Sequence, residues 1–225
     1  MNVTLPRPTS VALPLLGACA LLLSGHAAAQ NSGWYIGGGL GAAKANFERA
    51  DFVGLAPGAT YTAEDSDVAA RLFGGYRLSP NWAVEFGAAY LGSYEHRFTS
   101  ASGRAVYEYD ASAATIAIAG NLPLSGGVSV NGRLGAAFTA AQLRLAYING
   151  VIATNPSSCT TYYYFYDYDC TSSKTNLYWG LGVQFDVNPR WGIRLDYDNY
   201  GGIGDQFESG RATIDTLTVN VVFRF

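Results

Sequence analysis

The chain ends in TLTVNVVFRF (Thr216–Phe225), where small or polar residues alternate with large apolar ones. The apolar side chains stand at every second position: Leu217, Val219, Val221, Phe223 and Phe225. Successive side chains of a β-strand point to opposite faces, so this stretch is predicted to be a strand with one apolar face. Terminal residues usually fray unless something holds them. Such an apolar terminal strand therefore needs a surface to lie against.

The same period of two recurs along the chain, with large apolar residues on one face and small or charged residues on the other. The apolar faces are Trp34, Ile36 and Leu40; Leu72, Tyr76 and Leu78; Trp82, Val84, Phe86 and Tyr90; Ile116, Ile118 and Leu122; Val128, Val130, Leu134 and Phe138; Leu177, Trp179, Leu181, Val183, Phe185 and Val187; and Trp191, Ile193, Leu195 and Tyr197. With the last segment, this pattern predicts about eight strands, each near the roughly 9–11 residues that cross a bilayer at a tilt.

The connections between these segments alternate in length. Tight turns are predicted at Ser79–Asn81, Pro123–Gly127 and Asn188–Arg190, and long links at about 45–67, 95–107, 146–174 and 200–211. The fold class predicted is all-β: an eight-stranded antiparallel transmembrane β-barrel of the up-and-down type, with short periplasmic turns and long extracellular loops. Lipid cannot satisfy a free sheet edge, so the strands must close on themselves. A soluble β-sandwich is the alternative, but it does not need an apolar outer face on nearly every strand.

Composition agrees with a membrane protein. Hydrophobic residues make up 49% of the chain and charged residues only 14%, against roughly 25% charged residues in soluble domains. After Gln30 no stretch approaches the roughly 20 consecutive apolar residues of a membrane helix. The net charge of -3 and the lack of a basic stripe argue against nucleic acid as a partner.

Residues 1–29 are predicted to be a cleaved signal peptide, and residues 30–225 the barrel domain. Arg7 precedes a short apolar run, and the small residues before Gln30 provide a cleavage site. Leu16–Cys19 also resembles a lipobox, in which case Cys19 is lipidated. Export through a cleaved signal peptide predicts localisation in the cell outer membrane of a Gram-negative envelope.

Three segments and the chain end carry a family resemblance. They are GWYIGGGLG (33–41), FGGYRLSPNWAVEFGAAYLG (73–92), GLGVQFDVNPRWGIRLDYDNY (180–200) and the final FRF. In this order they resemble the OmpA-like transmembrane barrels. The resemblance implies a barrel in outer-membrane lipid and lipopolysaccharide, whose closing strand, with Phe223 and Phe225, is the signal for the barrel-assembly machinery. Relatives often add a peptidoglycan-binding domain; here the chain stops at Phe225, so that activity is not carried over.

The resemblance further implies an inward network of paired charges, with Glu85 and Arg194 at pairing positions and Arg133 at another basic position. The pleat independently puts Arg71, Glu85, Arg133, Arg194 and Asp196 on the face away from lipid. The chain departs from the family at Ala119, where a lysine is usual, and at Gln184, where an acidic residue is usual. The predicted network is therefore Arg71, Glu85, Arg133, Gln184, Arg194 and Asp196. The inward face also carries many glycines and alanines. Two interpretations of the interior are therefore open: a salt-bridge network that stabilises the barrel, or a water-filled, leaky interior.

The longest link contains the two cysteines that follow the signal, Cys159 and Cys170. In an exported protein, two cysteines this close predict a disulfide bond. Between them stand aromatic residues that are predicted to form a recognition surface, because tyrosine supplies large contact area at low entropic cost; they are Tyr162, Tyr163, Tyr164, Phe165, Tyr166 and Tyr168. The alternative is a tyrosine-rich strand extension with its rings at the lipid headgroups.

Catalysis has one candidate centre, His96, with Ser93, Glu95 and Ser100 nearby in sequence. Ser93 and Glu95 share a strand face that His96 does not, so no catalytic set is predicted. No cofactor or metal motif is present. The function predicted is an integral outer-membrane barrel, not an enzyme, with a structural or interaction role and outer loops that recognise an extracellular ligand or host surface. The alternatives are a narrow, porin-like passive channel for small solutes and a lipid-modifying enzyme.

Overall fold

The computed structural model describes residues 33–47, 60–100, 103–148, 160–161, 168–203 and 212–225. Ten strands occur in these ranges: β1 (Gly33–Phe47), β2 (Thr60–Glu64), β3 (Ser66–Arg77), β4 (Trp82–Ser100), β5 (Gly103–Pro123), β6 (Val128–Ile148), β7 (Thr160–Thr161), β8 (Tyr168–Asp186), β9 (Trp191–Ile203) and β10 (Ala212–Arg224). Within the same ranges no helix is long and apolar enough to cross a membrane.

Eight of these strands form one closed antiparallel ring, in the order β1, β3, β4, β5, β6, β8, β9 and β10. The first and last strands close it, with Ile36 opposite Phe223 and Phe47 opposite Ala212. The short strands β2 and β7 add to the edges of β4 and β8. The prediction of an eight-stranded antiparallel barrel is confirmed.

The strand faces alternate as the sequence pattern requires. Large apolar residues point outward and stay exposed, such as Leu40 (65%), Leu134 (58%) and Leu177 (68%). They form a continuous outer belt that lipid covers. At the periplasmic rim, Phe223 contacts both Trp191 and Phe225, with ring centroids 4.8 and 5.1 Å apart. The Phe225 amide donates a hydrogen bond to the Trp34 carbonyl at 3.2 Å, so the chain end is tied to the first strand.

Four neighbouring strands continue well beyond this belt on the extracellular side. β5 and β6 each have 21 residues, and β4 and β8 each have 19, about twice the length needed to cross the bilayer. Their outward residues change from apolar to polar, as from Ile116 to Ser112 and Glu108 along β5. We call the paired segments 92–100, 103–112, 140–148 and 168–176 the extracellular wall.

The structure has strands in two segments that were predicted to be long links. The prediction of a loop over 95–107 is wrong, because β4 and β5 pair from Trp82 and Gly120 out to Ser100 and Gly103. The link predicted over 45–67 contains β2, which pairs with β4, and the start of β3. The described outward side chains of these segments, such as Thr62, Glu64 and Arg97, are polar, so the apolar alternation that identified the other strands does not extend into them.

A β-bulge in β4 changes which residues face the barrel interior. The register with β5 shifts between Tyr90 and Gly92, and Gly92 has a φ of 101°. Before the bulge odd-numbered residues such as Glu85 face inward; after it Tyr94 and His96 are the buried ones. The extra residue therefore shifts the inward-facing positions of β4 from odd to even residue numbers beyond the bulge.

Candidate functional site

The barrel interior is crossed by a cluster of six charged side chains. Arg71 comes from β3, Glu85 from β4 and Arg133 from β6, while β9 supplies Arg194, Asp196 and Asp198. All six belong to inward positions of the pleat and are at most 4% exposed. We call this cluster the interior charge network.

Each arginine of the network contacts two or more acidic side chains. Arg71 lies 2.7 Å from both Glu85 and Asp198, and 3.5 Å from Asp196. Arg133 lies 2.9 Å from Asp196 and 3.0 Å from Asp198. Arg194 lies 2.8 Å from Asp196 and 3.3 Å from Glu85. Because isolated buried charges are very costly, this mutual pairing is what allows the network to exist in the barrel.

Neutral groups complete the network. The Tyr178 hydroxyl donates to Asp198 Oδ1 at 2.6 Å, Asn220 Nδ2 donates to Asp196 Oδ2 at 3.0 Å, and the Tyr35 hydroxyl donates to Glu85 Oε2 at 3.1 Å. The ring of Phe73 contacts two guanidinium groups, with centroid distances of 4.8 Å to Arg71 and 4.2 Å to Arg194. Three cations and three anions balance, so the network is electrically neutral.

The inward glycines accommodate large neighbouring side chains. A Cβ at Gly37 would lie 2.3 Å from the Phe73 ring, one at Gly75 2.4 Å from the Tyr35 ring, and one at Gly180 2.1 Å from the Asp198 carboxylate. At these positions, aromatic rings and the network fill the space that a side chain at each glycine would otherwise occupy.

The network differs from the predicted one at two residues. Gln184 is buried opposite Arg194 in the sheet, but its Nε2 donates to Asp186 Oδ1 at 2.7 Å and not to a member of the network. Asp198, which the sequence interpretation left out, is central, since it contacts Arg71, Arg133 and Tyr178. Its position two residues after Asp196 on the same strand face was the signal that could have identified it.

His96 lies on the inner face of the extracellular wall. Its ring meets the Tyr109 ring edge-on with centroids 5.6 Å apart. Ser93 and Glu95 lie on the opposite face of β4, and Glu95 forms an ion pair with Arg97 there. The side chain of Ser100 lies outside the described residues. Ser93, Glu95 and His96 therefore do not converge on one site, and no group of three potential metal ligands occurs within the described ranges.

The loop predictions lie mostly outside the described residues. Cys159, Tyr162, Tyr163, Tyr164, Phe165 and Tyr166 are not in the described ranges, and neither is the signal peptide predicted over residues 1–29. Tyr168 and Cys170 are placed in β8, with Cys170 opposite Leu143 of β6, but only their backbone is described. The disulfide bond and the aromatic recognition surface remain predictions.

The closed ring, its apolar belt and its inward charges match one family of membrane proteins. The family model for the OmpA-like transmembrane domain matches residues 29–225. The chain belongs to the OmpA-like transmembrane domain family. It is thus an outer-membrane β-barrel, and the resemblance seen in its sequence motifs is confirmed. No curated protein matches this OmpA-like chain.

Solved structures similar to this OmpA-like barrel are small outer-membrane proteins. The outer membrane protein OprG from Pseudomonas aeruginosa is 15% identical, with 87% of this chain and 97% of that chain covered and a TM-score of 0.52. Neisserial surface protein A is 15% identical, with 87% and 99% covered and a TM-score of 0.48. Ail of Yersinia pestis, solved in complex with the heparin analogue sucrose octasulfate, is 15% identical, with 87% and 99% covered and a TM-score of 0.47. At these identities the OprG likeness supports the fold alone.

Proposed function

We propose that this OmpA-like barrel is a closed membrane anchor that displays a recognition surface outside the cell. The observation that carries the proposal is the extracellular wall. β6 continues from the last lipid-facing aromatic, Phe138, to Ile148, or roughly 30 Å at about 3.3 Å per residue. A barrel needs no such length to cross the membrane, and the exposed polar side chains described on the outer face of the wall, such as Arg97, Glu108 and Gln142, suit contact with an aqueous partner.

The interior charge network supports an anchor over a channel. Its side chains span the barrel from β3 to β9 and form buried ion pairs with one another, so transport would require these pairs to separate. In planar bilayers we expect the protein to give no conductance above background. Reproducible single-channel steps would instead favour the narrow passive channel.

The recognition role is tested on cells that display the protein. We would replace residues 160–170, which contain the tyrosine-rich stretch, with a glycine-serine linker and measure retention of the cells on epithelial monolayers. Retention should fall at least tenfold relative to the wild type, while the heat-modifiable band shows equal amounts of folded barrel. A matched variant, Arg190→Gln in a periplasmic turn, should keep full retention. Equal retention by the wild type and the linker variant would contradict a recognition role for this stretch.

Assembly in the outer membrane depends, in this proposal, on the closing strand. Phe223 and Phe225 stand at the rim beside Trp191, where the barrel-assembly machinery would engage the strand. Phe225→Ala should lower the amount of assembled protein in cells while unassisted refolding in detergent is retained. If both fall in parallel, Phe225 acts only on the stability of the barrel.

A further inference from the structure

The periplasmic mouth of the barrel contains a small polar cavity below the interior charge network. Its volume is about 20 Å³, and it lies between the β3–β4 turn and the inner faces of β5, β6 and β8. Arg77, Arg194, Asn121, Asn131 and Gln184 provide its polar lining, and Ala119 leaves the space open. A volume of this size is sufficient for one small occupant.

Two buried donors of this lining lack acceptors. Arg194 is 3% exposed, and its Nε and Nη1 bind Asp196 and Glu85, but no acceptor in the described ranges reaches its Nη2. Asn131 is 7% exposed, and its Nδ2 also has no acceptor there. A buried donor without a partner costs about 1–3 kcal/mol, so both groups favour a negatively charged or strongly accepting occupant.

The charge around the cavity is positive. The interior charge network is neutral, and among the described residues the mouth adds Arg77 and Arg224, with Arg190 exposed at the same rim, and the carboxylate of Asp186. The Asp186 carboxylate accepts from both Arg224 and Gln184. Arg77 is in no ion pair within the described ranges; its guanidinium lies 5.9 Å from the Tyr35 ring centroid, where Arg224 and Arg194 repel it and Asp186 attracts it. Arg77 therefore brings an unpaired positive charge to the two free donors.

We propose that the periplasmic mouth binds one monoatomic anion of the size of chloride or bromide. Arg77 supplies the charge, and Arg194 Nη2 and Asn131 Nδ2 supply hydrogen bonds. Asn121 Oδ1 also lacks a partner in the described ranges, and exchange of its O and N by a 180° flip of the amide would offer Nδ2 as a further donor. The site is separate from the extracellular wall and does not depend on the proposed recognition role.

The first test locates bromide directly. Crystals of the refolded barrel in sodium bromide should give an anomalous peak within hydrogen-bond distance of Arg194 Nη2 and Asn131 Nδ2. The isosteric variant Asn131→Asp places a carboxylate in the cavity, which pairs with the free arginine donors and replaces the anion. The peak should be present in the wild type and lost in Asn131→Asp. Absence of the peak from the wild type would overturn the proposal.

The second test asks whether the anion binds in solution. Urea unfolding in detergent would be measured in bromide and in gluconate at one ionic strength. Because the anion binds the folded state, bromide should shift the wild-type midpoint upward. The shift should disappear in Asn131→Asp and in the half-buried Arg77→Gln, and remain in Arg190→Gln, whose cation is exposed at the same rim. A crystal peak without a midpoint shift would mean binding at crystal concentration only, and an equal shift in all four proteins would mean a general salt effect; either result would refute the site.

Discussion

Arg71 Nη1 lies 2.7 Å from Asp198 Oδ2, and this ion pair links β3 to β9, which are not neighbours in the sheet. Strands β1 and β10 lie between them along the barrel wall. The pair thus joins two parts of the barrel through its interior, where backbone hydrogen bonds cannot reach. The same Asp198 also contacts Arg133 of β6, so one carboxylate holds three strands together.

Removing that carboxylate should destabilise the barrel strongly. Asp198→Asn keeps the shape but leaves Arg71 and Arg133 with excess buried positive charge, and breaking buried pairs in this way costs about 3–5 kcal/mol. We expect a correspondingly lower urea midpoint in detergent, followed by the heat-modifiable band. Asp110→Asn, on the wall, should change the midpoint little.

A charge-balanced variant separates pairing from packing. In Arg133→Met combined with Asp198→Leu, two cations and two anions remain, and the apolar replacements cost far less than an unpaired charge. The double variant should therefore be more stable than Asp198→Asn. If it is less stable, the geometry of the network matters more than its charge balance.

A neighbouring pair of glycines tests how tightly the network is packed. A Cβ at Gly182 of β8 would lie 2.0 Å from Asp196 Oδ1, whereas at its outward neighbour on β6, Gly132, the nearest atom would be Leu181 Cδ2 at 3.9 Å. Gly182→Ala should lower the free energy of unfolding by about 1–3 kcal/mol through overpacking, and Gly132→Ala should leave it nearly unchanged. Equal effects of the two substitutions on the urea midpoint would show that the carboxylate can move aside.

The barrel and much of its interior were predictable because lipid imposes period two on the outer face. Alternation placed Trp82 and Phe86 outward and Glu85 inward, and the same parity placed Arg71 and Arg194 on the inner face. This argument depends only on strand geometry and on the exclusion of charge from hydrocarbon. Asp198 obeys the same parity and required no further information.

Features beyond the membrane were not predictable by that argument. Outside the belt water covers the outer face, so polar residues such as Glu108 and Arg97 carry no alternation signal, and the paired ends of β4 and β5 resemble a loop in sequence. The bulge at Gly92 also reverses which residues of β4 face inward. Nothing in the sequence distinguishes this glycine from the other members of a set of 27. The contact of Gly37 with Phe73 depends on the relative register of two strands, which a single sequence does not specify.

The bulge itself predicts a local effect of substitution. Gly92 has a φ of 101°, and a Cβ there would lie 2.9 Å from Asp67 Cβ. Gly92→Ala should cost about 1–3 kcal/mol of backbone strain and loosen the outer end of β4. Limited proteolysis should then cut the β4–β5 hairpin faster while the membrane-spanning band stays resistant. Gly74→Ala, whose nearest neighbour would be 3.6 Å away, is the matched control; equal cleavage of both variants would contradict a special role for the bulge.

His96 should make the extracellular wall sensitive to mild acid. The wall lies outside the membrane-spanning segments; there, burial lowers the pKa of His96 below its ordinary value of 6.5, and nearby Asp65 only partly opposes this. The unfolded state then binds the proton more readily, so the contribution of His96 to the stability of the wall is complete above about pH 6.5 and falls as the pH drops from there to the folded-state pKa.

The chain has two histidines, His26 and His96. An untagged protein starting at Gln30 therefore contains one imidazole ring, and the NMR titration of its Hε1 and Hδ2 resonances should have a midpoint below pH 6.5. His96→Gln should remove the increase in hairpin proteolysis between pH 7 and pH 5. A midpoint above pH 6.5 would mean that Asp65 outweighs burial, and the wall would then gain stability on acidification.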